Sequence, residues 1–345
     1  MIAPTTATVA PAADFFSRQP PDAEPSLFCS EAWIAAVDAE FAWNTGVIEA
    51  EGDYLPFTPI ENRVGRRIVV QPYADCARDF SSRETLQALL SGLAGEFPHH
   101  SLSVRVGGPA AEATFEGWRN EPKAGVYRLA CGPADKMWEG LSSAFQRGVR
   151  RATRDGVQVV TATGLEDLRR FHRLFVVHRA AKFGILSPPW KFFEQLHERF
   201  FAAGRGFILE AWANGHVIAG LLVLRHRDVL YYKYGASDLT ALELRPNNLL
   251  FWTLLESATR DRIREIDLGM TWSDEGDAGL RRFKESLGAR FCGVSFLSRR
   301  PEDYDLDREL AVRAELRATS GRLARAGDDP VALGAAGAEL FRYFN

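Results

Sequence analysis

The sequence predicts an α/β protein of two domains, each built on a mixed sheet. Three observations carry this. The chain has 345 residues, and roughly 150 residues make one domain. Strand-like and helix-like runs alternate along its length, which favours sheets covered by helices. The second half combines tight hairpin signals, which make antiparallel neighbours, with a strand–helix–strand run, which requires a right-handed parallel crossover. A composition of 46% hydrophobic and 25% charged residues is that of an ordinary globular chain. A chain this long buries sizeable cores without disulfides or metals.

The first 25 residues are rich in Pro, Ala and Thr, with no basic start followed by an apolar run. They read as a disordered leader, not a secretory signal. Phe28 to Ala39 reads as a helix, with Trp33, Ile34 and Val37 at helical spacing. Short strands follow at Thr45–Glu49, Tyr54–Ile60 and Arg67–Gln71, punctuated by Gly and Pro. Glu84–Phe97 is a second helix, Ser101–Val106 a strand, and Trp118–Gly132 a strand that leads into the second half. Domains are therefore expected over residues 26–135 and 136–300, with a helical tail over 301–345.

In the second half, Trp138–Asp155 reads as one basic helix and Gln158–Thr163 as a strand. Helices follow from Gly164 to about Lys182 and from Pro188 to about Ala203. Three strands come next, Gly206–Ala213, Val217–Arg225 and Val229–Gly235. The first hairpin is marked by Asn214-Gly215, whose residues accept the positive φ of a type I′ turn. A helix over Asn247–Arg260, a strand over Glu265–Met270, a helix over Ala278–Leu287 and a strand over Arg290–Leu297 complete the order β-α-α-β-β-β-α-β-α-β.

Composition also excludes functions. Lys and Arg total 42 against 45 Asp and Glu, a net charge of −3. Bulk-charge coating of nucleic acid is therefore excluded, and no DNA partner is expected. Cys29, Cys76, Cys131 and Cys292 form no CxxC pair, and the seven histidines form neither HExxH nor HxH. No metal site is expected, and the thiols suit a reducing, cytoplasmic compartment. No window approaches the roughly 18 apolar residues of a membrane span.

Four motifs carry a resemblance. They are Tyr234-Gly235-Ala236-Ser237, Arg245-Pro246-Asn247-Asn248-Leu249-Leu250-Phe251-Trp252, Asp267-Leu268-Gly269, and the run from Gly279 to Gly288 containing Phe283-Lys284. With the basic helix Phe145–Val157 and the opening Leu27-Phe28 and Trp33, they resemble FemAB-type acyltransferases, in particular the CelD/BcsL-like acetyltransferases of exopolysaccharide loci. The resemblance covers roughly residues 26–300 and implies two tandem GNAT-like acyl-CoA N-acyltransferase domains, the first degenerate. It implies acyl transfer from acyl-CoA, foremost acetyl-CoA, to an amino group of a cell-envelope or exopolysaccharide sugar precursor, in the gap where two parallel strands diverge. One departure stands out. The usual Gly-containing pyrophosphate loop is missing, since Asp238–Asn248 holds no glycine. That keeps three alternatives open: an aminoacyl-tRNA donor, a long-chain acyl-CoA acting on a lipid amine at the inner membrane face, and a non-catalytic nucleotide-responsive regulator using its arginines, including Arg299-Arg300.

Candidate residues follow from chemistry and from that resemblance. The helix start at Pro246-Asn247-Asn248, beside Arg245, has free N–H groups and a dipole that attract a phosphate. By alternation Tyr232 and Tyr234 face one side; Tyr234 is placed to protonate a leaving group, and Ser237 sits at the strand's end. Asp267, flanked by Ile266 and Leu268, must be hydrogen-bonded if buried. It is either a general base of raised pKa or a loop anchor. Trp272 lies where an acceptor enters. The resemblance places Lys284 near the reaction centre, where its ammonium would stabilise an oxyanion. Arg147, Arg150, Arg151 and Arg154 share one helix face and call for an anion: a nucleotide-diphosphate sugar, a lipid phosphate, tRNA or acidic side chains.

Overall fold

The computed structural model describes residues 7–20, 24–75, 77–327 and 329–343. Cys76 lies outside the described residues. The chain forms two compact units. The first takes the chain up to Val126 together with Cys292–Glu315 and Tyr343; the second takes Tyr127–Phe291 and Leu316–Arg342. The boundaries expected at 135/136 and 300/301 thus lie nine residues beyond two of the crossings.

The chain opens with β1 (Thr8–Pro11) and α1 (Ala12–Phe16). Over the described residues 8–16 this corrects the disordered leader; residues 1–6 and 21–23 of that expectation lie outside the described residues. β1 pairs antiparallel with β2, Thr8 opposite Glu49, and Phe15 packs 4.6 Å from the Tyr54 ring. Two buried phenylalanines anchor a segment whose Pro/Ala/Thr composition conceals them. Then come α2 (Glu31–Phe41), β2 (Gly46–Ala50), β3 (Asp53–Asn62), β4 (Gly65–Val70), β5 (Arg78–Asp79), α3 (Arg83–Glu96), β6 (Ser101–Gly107) and β7 (Arg119–Ala130). Ser30 and Ser82 start α2 and α3 by accepting the Trp33 and Thr85 N–H groups. β4 and β6 are parallel at Arg67–Val69 opposite Ser101–Ser103, and α3 covers them with buried leucines.

The second unit contributes α4 (Ala134–Gly140), α5 (Ser143–Arg154), β8 (Gln158–Ala162), α6 (Leu165–Phe183), α7 (Trp190–Leu196), β9 (Gly206–Ala213), β10 (His216–His226), β11 (Val229–Ser237), α8 (Pro246–Arg260), β12 (Glu265–Trp272) and α9 (Ala278–Ser286). β13 (Arg290–Arg299), α10 (Leu306–Arg325) and α11 (Pro330–Leu340) end the chain. The single basic helix is corrected to two, because Ser142 turns extended and caps α5 by accepting the Phe145 N–H at 3.2 Å. The tail is likewise two helices, with Asp329 capping α11.

Strands run β12-β11-β10-β9-β8 in this unit. The three joints from β8 to β11 are antiparallel, and β11–β12 is parallel. Asn214 and Gly215 take φ of 50° and 77°, the type I′ geometry the hairpin requires. The core lies under α5 and α8, against Leu221, Val223, Leu230, Ile266 and Leu268.

Candidate functional site

β11 and β12 are paired only at Val229–Glu265, Leu230–Ile266 and Tyr231–Asp267. Both strands continue past that point, to Ser237 and Trp272, without pairing. The two strands are therefore no longer paired to each other beyond that point, and a cleft of about 350 Å³ lies beside this stretch of β11, walled by β11, α6, α8, α9 and the turn that precedes α9. Its lining includes Tyr232, Gly235, Ser237, Asn247, His178 and Phe283.

A bulge decides which β11 side chains reach it. Pairing with β10 steps from Leu222–Tyr234 to Val223–Tyr232, leaving Lys233 as an extra residue. The extra residue shifts the alternation by one. Tyr232, Gly235 and Ser237 share the α8 face, and a Cβ on Gly235 would fall 2.2 Å from the Tyr232 hydroxyl. Tyr234 is turned to the other face, against Phe175 and Phe193 at 4.9 and 5.4 Å. This corrects the expectation that Tyr232 and Tyr234 share a side: Tyr232, not Tyr234, lines the cleft.

A second cleft, of about 470 Å³, adjoins the first. Phe283 lines both. Arg147 and Arg151 of α5 meet Arg245 and Asn248 there. α5 approaches α8 closely because Gly148 has no side chain; a Cβ there would lie 2.6 Å from the Asn248 amide. Arg245 itself, at φ 55°, is the residue that precedes α8, with Pro246 in the first turn and no side chain capping the helix. The asparagines thus sit inside the first turn and not at the cap. Asn247 exchanges a hydrogen bond of 3.0–3.2 Å with the Ser237 hydroxyl and faces the first cleft, while Asn248 faces the second. Three guanidiniums beside an uncapped helix N-terminus form a cradle for a polyanion. Arg150 and Arg154 do not line it: Arg150 stacks on the Trp138 ring at 5.4 Å, and Arg154 pairs at 3.3 Å with Asp155, a carboxylate it shares with the cleft-lining Arg151 at 3.2 Å.

The remaining candidates line neither cleft. Asp267 accepts the Gly269 N–H at 2.7 Å and lies 3.7 Å from the Arg128 guanidinium. Burial pushes its carboxyl up to about 7, against the opposing pull of that N–H and of Arg128. Lys284 is 3% exposed. Its ammonium donates to the Gly269 carbonyl at 2.9 Å, the Thr271 hydroxyl at 2.7 Å and the Met270 carbonyl at 3.4 Å. These bonds clasp β12 where Gly269 bends it at φ 75°. The Trp272 backbone is held by Asp277 and Arg281, with its indole largely exposed.

His178 was not singled out by the sequence, where a lone histidine inside an amphipathic helix carries no signal. The structure sets it in the cleft wall, with Nδ1 2.9 Å from the Ser237 carbonyl oxygen. Burial, with Lys182 and Arg179 nearby, lowers its pKa. Among the described residues no group of three or more His, Cys, Asp and Glu side chains is placed to hold a metal ion, and no helix is long and apolar enough to cross a membrane.

Residues 142–285 match the family model described as "Acetyltransferase (GNAT) domain". Among solved structures, FemX superposes with a TM-score of 0.60 at 15% identity, over 82% of this chain and 94% of FemX. L-PGS from Bacillus licheniformis gives 0.54 at 14%, over 87% and 98%. The C-terminal domain (DUF2156) of a provisionally assigned lysylphosphatidylglycerol synthetase from Agrobacterium fabrum gives 0.54 at 12%, over 89% and 94%. At these identities the likeness is one of fold. No curated protein sequence matches significantly.

Proposed function

Because residues 142–285 belong to the GNAT acyltransferase family, and the chain is thereby an acyltransferase, we propose that it moves an acyl group from acyl-CoA to an amine. The observation that carries this reading is the early end of β11–β12 pairing at Tyr231–Asp267, beside the three-arginine cradle. A thioester carrier has a long neutral arm and a phosphorylated end. The parted strands suit the arm, and Arg147, Arg151, Arg245 and Asn248 suit the phosphates. Phe283 at the junction keeps the two ends apart. The acyl group is acetyl, and the acceptor is an amino group on a cell-envelope or exopolysaccharide precursor, as the FemAB-type motifs imply. Catalysis rests chiefly on holding amine and acyl carbon in reach of one another.

Two experiments test it. Acetyl-CoA should raise the melting temperature in a concentration-dependent way, and purified protein should release CoA when supplied with amino sugars. No shift at millimolar acetyl-CoA sinks the donor assignment. One observation favours a second reading, an aminoacyl-tRNA ester as donor: the turn before α8 is a 3₁₀ helix over Leu239–Leu244 with no glycine, instead of a Gly-rich phosphate loop. Salt-dependent tRNA binding, together with inert acetyl-CoA, decides for that reading.

A further inference from the structure

Resting on the acyl-transfer reading, we propose that His178 is the general base that takes the proton from the attacking amine. His178 stands on α6 and lines the cleft with Tyr232, Ser237 and Asn247. Its Nδ1 lies 2.9 Å from the Ser237 carbonyl oxygen and 3.3 Å from the Ser237 N–H. One nitrogen cannot serve both at once, and the shorter contact selects Nδ1–H donating to the carbonyl. That tautomer leaves the Nε2 lone pair open, and Nε2 makes no hydrogen bond among the described residues. A backbone carbonyl that fixes one ring nitrogen makes the other an oriented proton acceptor.

The surroundings keep the ring neutral. Lys182 and Arg179 on the same helix disfavour a second positive charge, and burial acts in the same sense. Across the cleft stand the Tyr232 phenol and Asp277, where the helix opposite begins. His172, one turn and a half earlier, is a contrast. Its Nε2 faces the Pro188 carbonyl at 3.4 Å, its ring is packed by Trp190 and Phe193, and it lines neither of the two clefts described.

The step balances. As the amine nitrogen bonds to the acyl carbon, the carbonyl π pair moves to oxygen and the nitrogen's surplus proton passes to Nε2. As the carbon–sulfur or carbon–oxygen bond breaks, the leaving anion takes a proton from the imidazolium, which restores the neutral ring. No further reactant is needed.

The test uses His178→Asn and His178→Gln in the full chain. The Asn amide N–H reproduces the bond to the Ser237 carbonyl and supplies no base, so fold and donor affinity are retained. For His178→Asn, kcat/KM should fall by about 10²–10³, as loss of a general base predicts, with the donor KM within about threefold of wild type. The limb by which kcat/KM falls below pH 6.5 should vanish. Nitrogen-15 NMR of labelled wild-type protein should show His178 protonated on Nδ1 and bare on Nε2 at pH 7. A variant within threefold of wild-type kcat/KM that keeps its acid limb, or a ring protonated on Nε2, overturns the proposal. Wild-type turnover tests the acyl-transfer reading itself; the variant-to-wild-type ratio and the tautomer test His178.

Discussion

Asp267 carries a pKa raised to about 7 by burial, from an ordinary value of 3.8. Between those values the folded chain binds a proton that the unfolded chain has released. Stability therefore falls as pH rises from about 4 to 7, by an amount on the order of a few kcal/mol. Asp267→Asn keeps an oxygen for the Gly269 N–H and removes the titration. Its melting temperature should change less than that of wild type between pH 5 and 8, which calorimetry checks; parallel curves would refute the assignment. Lys284 gives the complementary prediction. Replacing it with Met strands three acceptors on β12, at a cost of about 2–4 kcal/mol. The melting temperature should drop by roughly 6–12 °C. A variant that melts like wild type yet transfers no acyl group would instead restore Lys284 to an oxyanion role. Sequence singles out Asp267 as a carboxylate among apolar neighbours, whereas Lys284 stands out only through the family resemblance. Neither route shows that Asp267 is held by Gly269 on β12 and by Arg128 on β7, or that Lys284 is held by Gly269, Met270 and Thr271 on β12.

At the scale of elements, the order of strands and helices in the second half was legible because turn chemistry and apolar periodicity agree there. The parting of β11 from β12 is what the family resemblance implies, and the pairing does end early. What was hidden is the bulge at Lys233, which leaves the 229–237 stretch looking like a regular strand while reversing the faces of every later side chain. For that reason Tyr232, and not Tyr234, lines the cleft. The arginines on α5 show a similar limit. Helical spacing put four on one face, but only Arg147 and Arg151 line the cleft; Arg150 stacks on Trp138, and Arg154 and Arg151 share Asp155. Function should divide along the same line. Arg147→Ala combined with Arg151→Ala should raise the donor KM about tenfold or more, a loss of at least about 1.4 kcal/mol, with kcat little changed and a weaker dependence on salt. Arg154→Ala should leave KM within twofold. Steady-state kinetics on both variants checks this, and equal effects would mean that the whole arginine face holds the donor.

For the molecule as a whole, the question is how many donors one chain binds. Each unit has a parallel strand pair covered by a helix, and in each the pairing stops after three positions, β11–β12 in one and β4–β6 in the other. In the second unit nothing follows and a cleft opens. In the first, β5 follows on the same edge of β6, with Arg78 and Asp79 opposite Val106 and Gly107, the other edge being held by β13. Packing there is tight. A Cβ on Gly107 would lie 2.3 Å from Asp79 Oδ1, and one on Gly108 2.8 Å from the Phe80 carbonyl. Arg78 fastens the insert, donating to the Tyr54 carbonyl at 2.8 Å, pairing with Asp53 and stacking on Phe80. The position proposed for the donor in one unit is thus filled by the chain's own backbone in the other. Removing a segment with buried backbone bonds and a buried arginine costs several kcal/mol, more than a weakly held ligand returns. Calorimetric titration with acetyl-CoA should therefore give one site per chain, and the Arg147/Arg151 double variant should weaken that single isotherm without uncovering a second. A stoichiometry of two, with one site indifferent to those arginines, would show that β5 yields to a ligand.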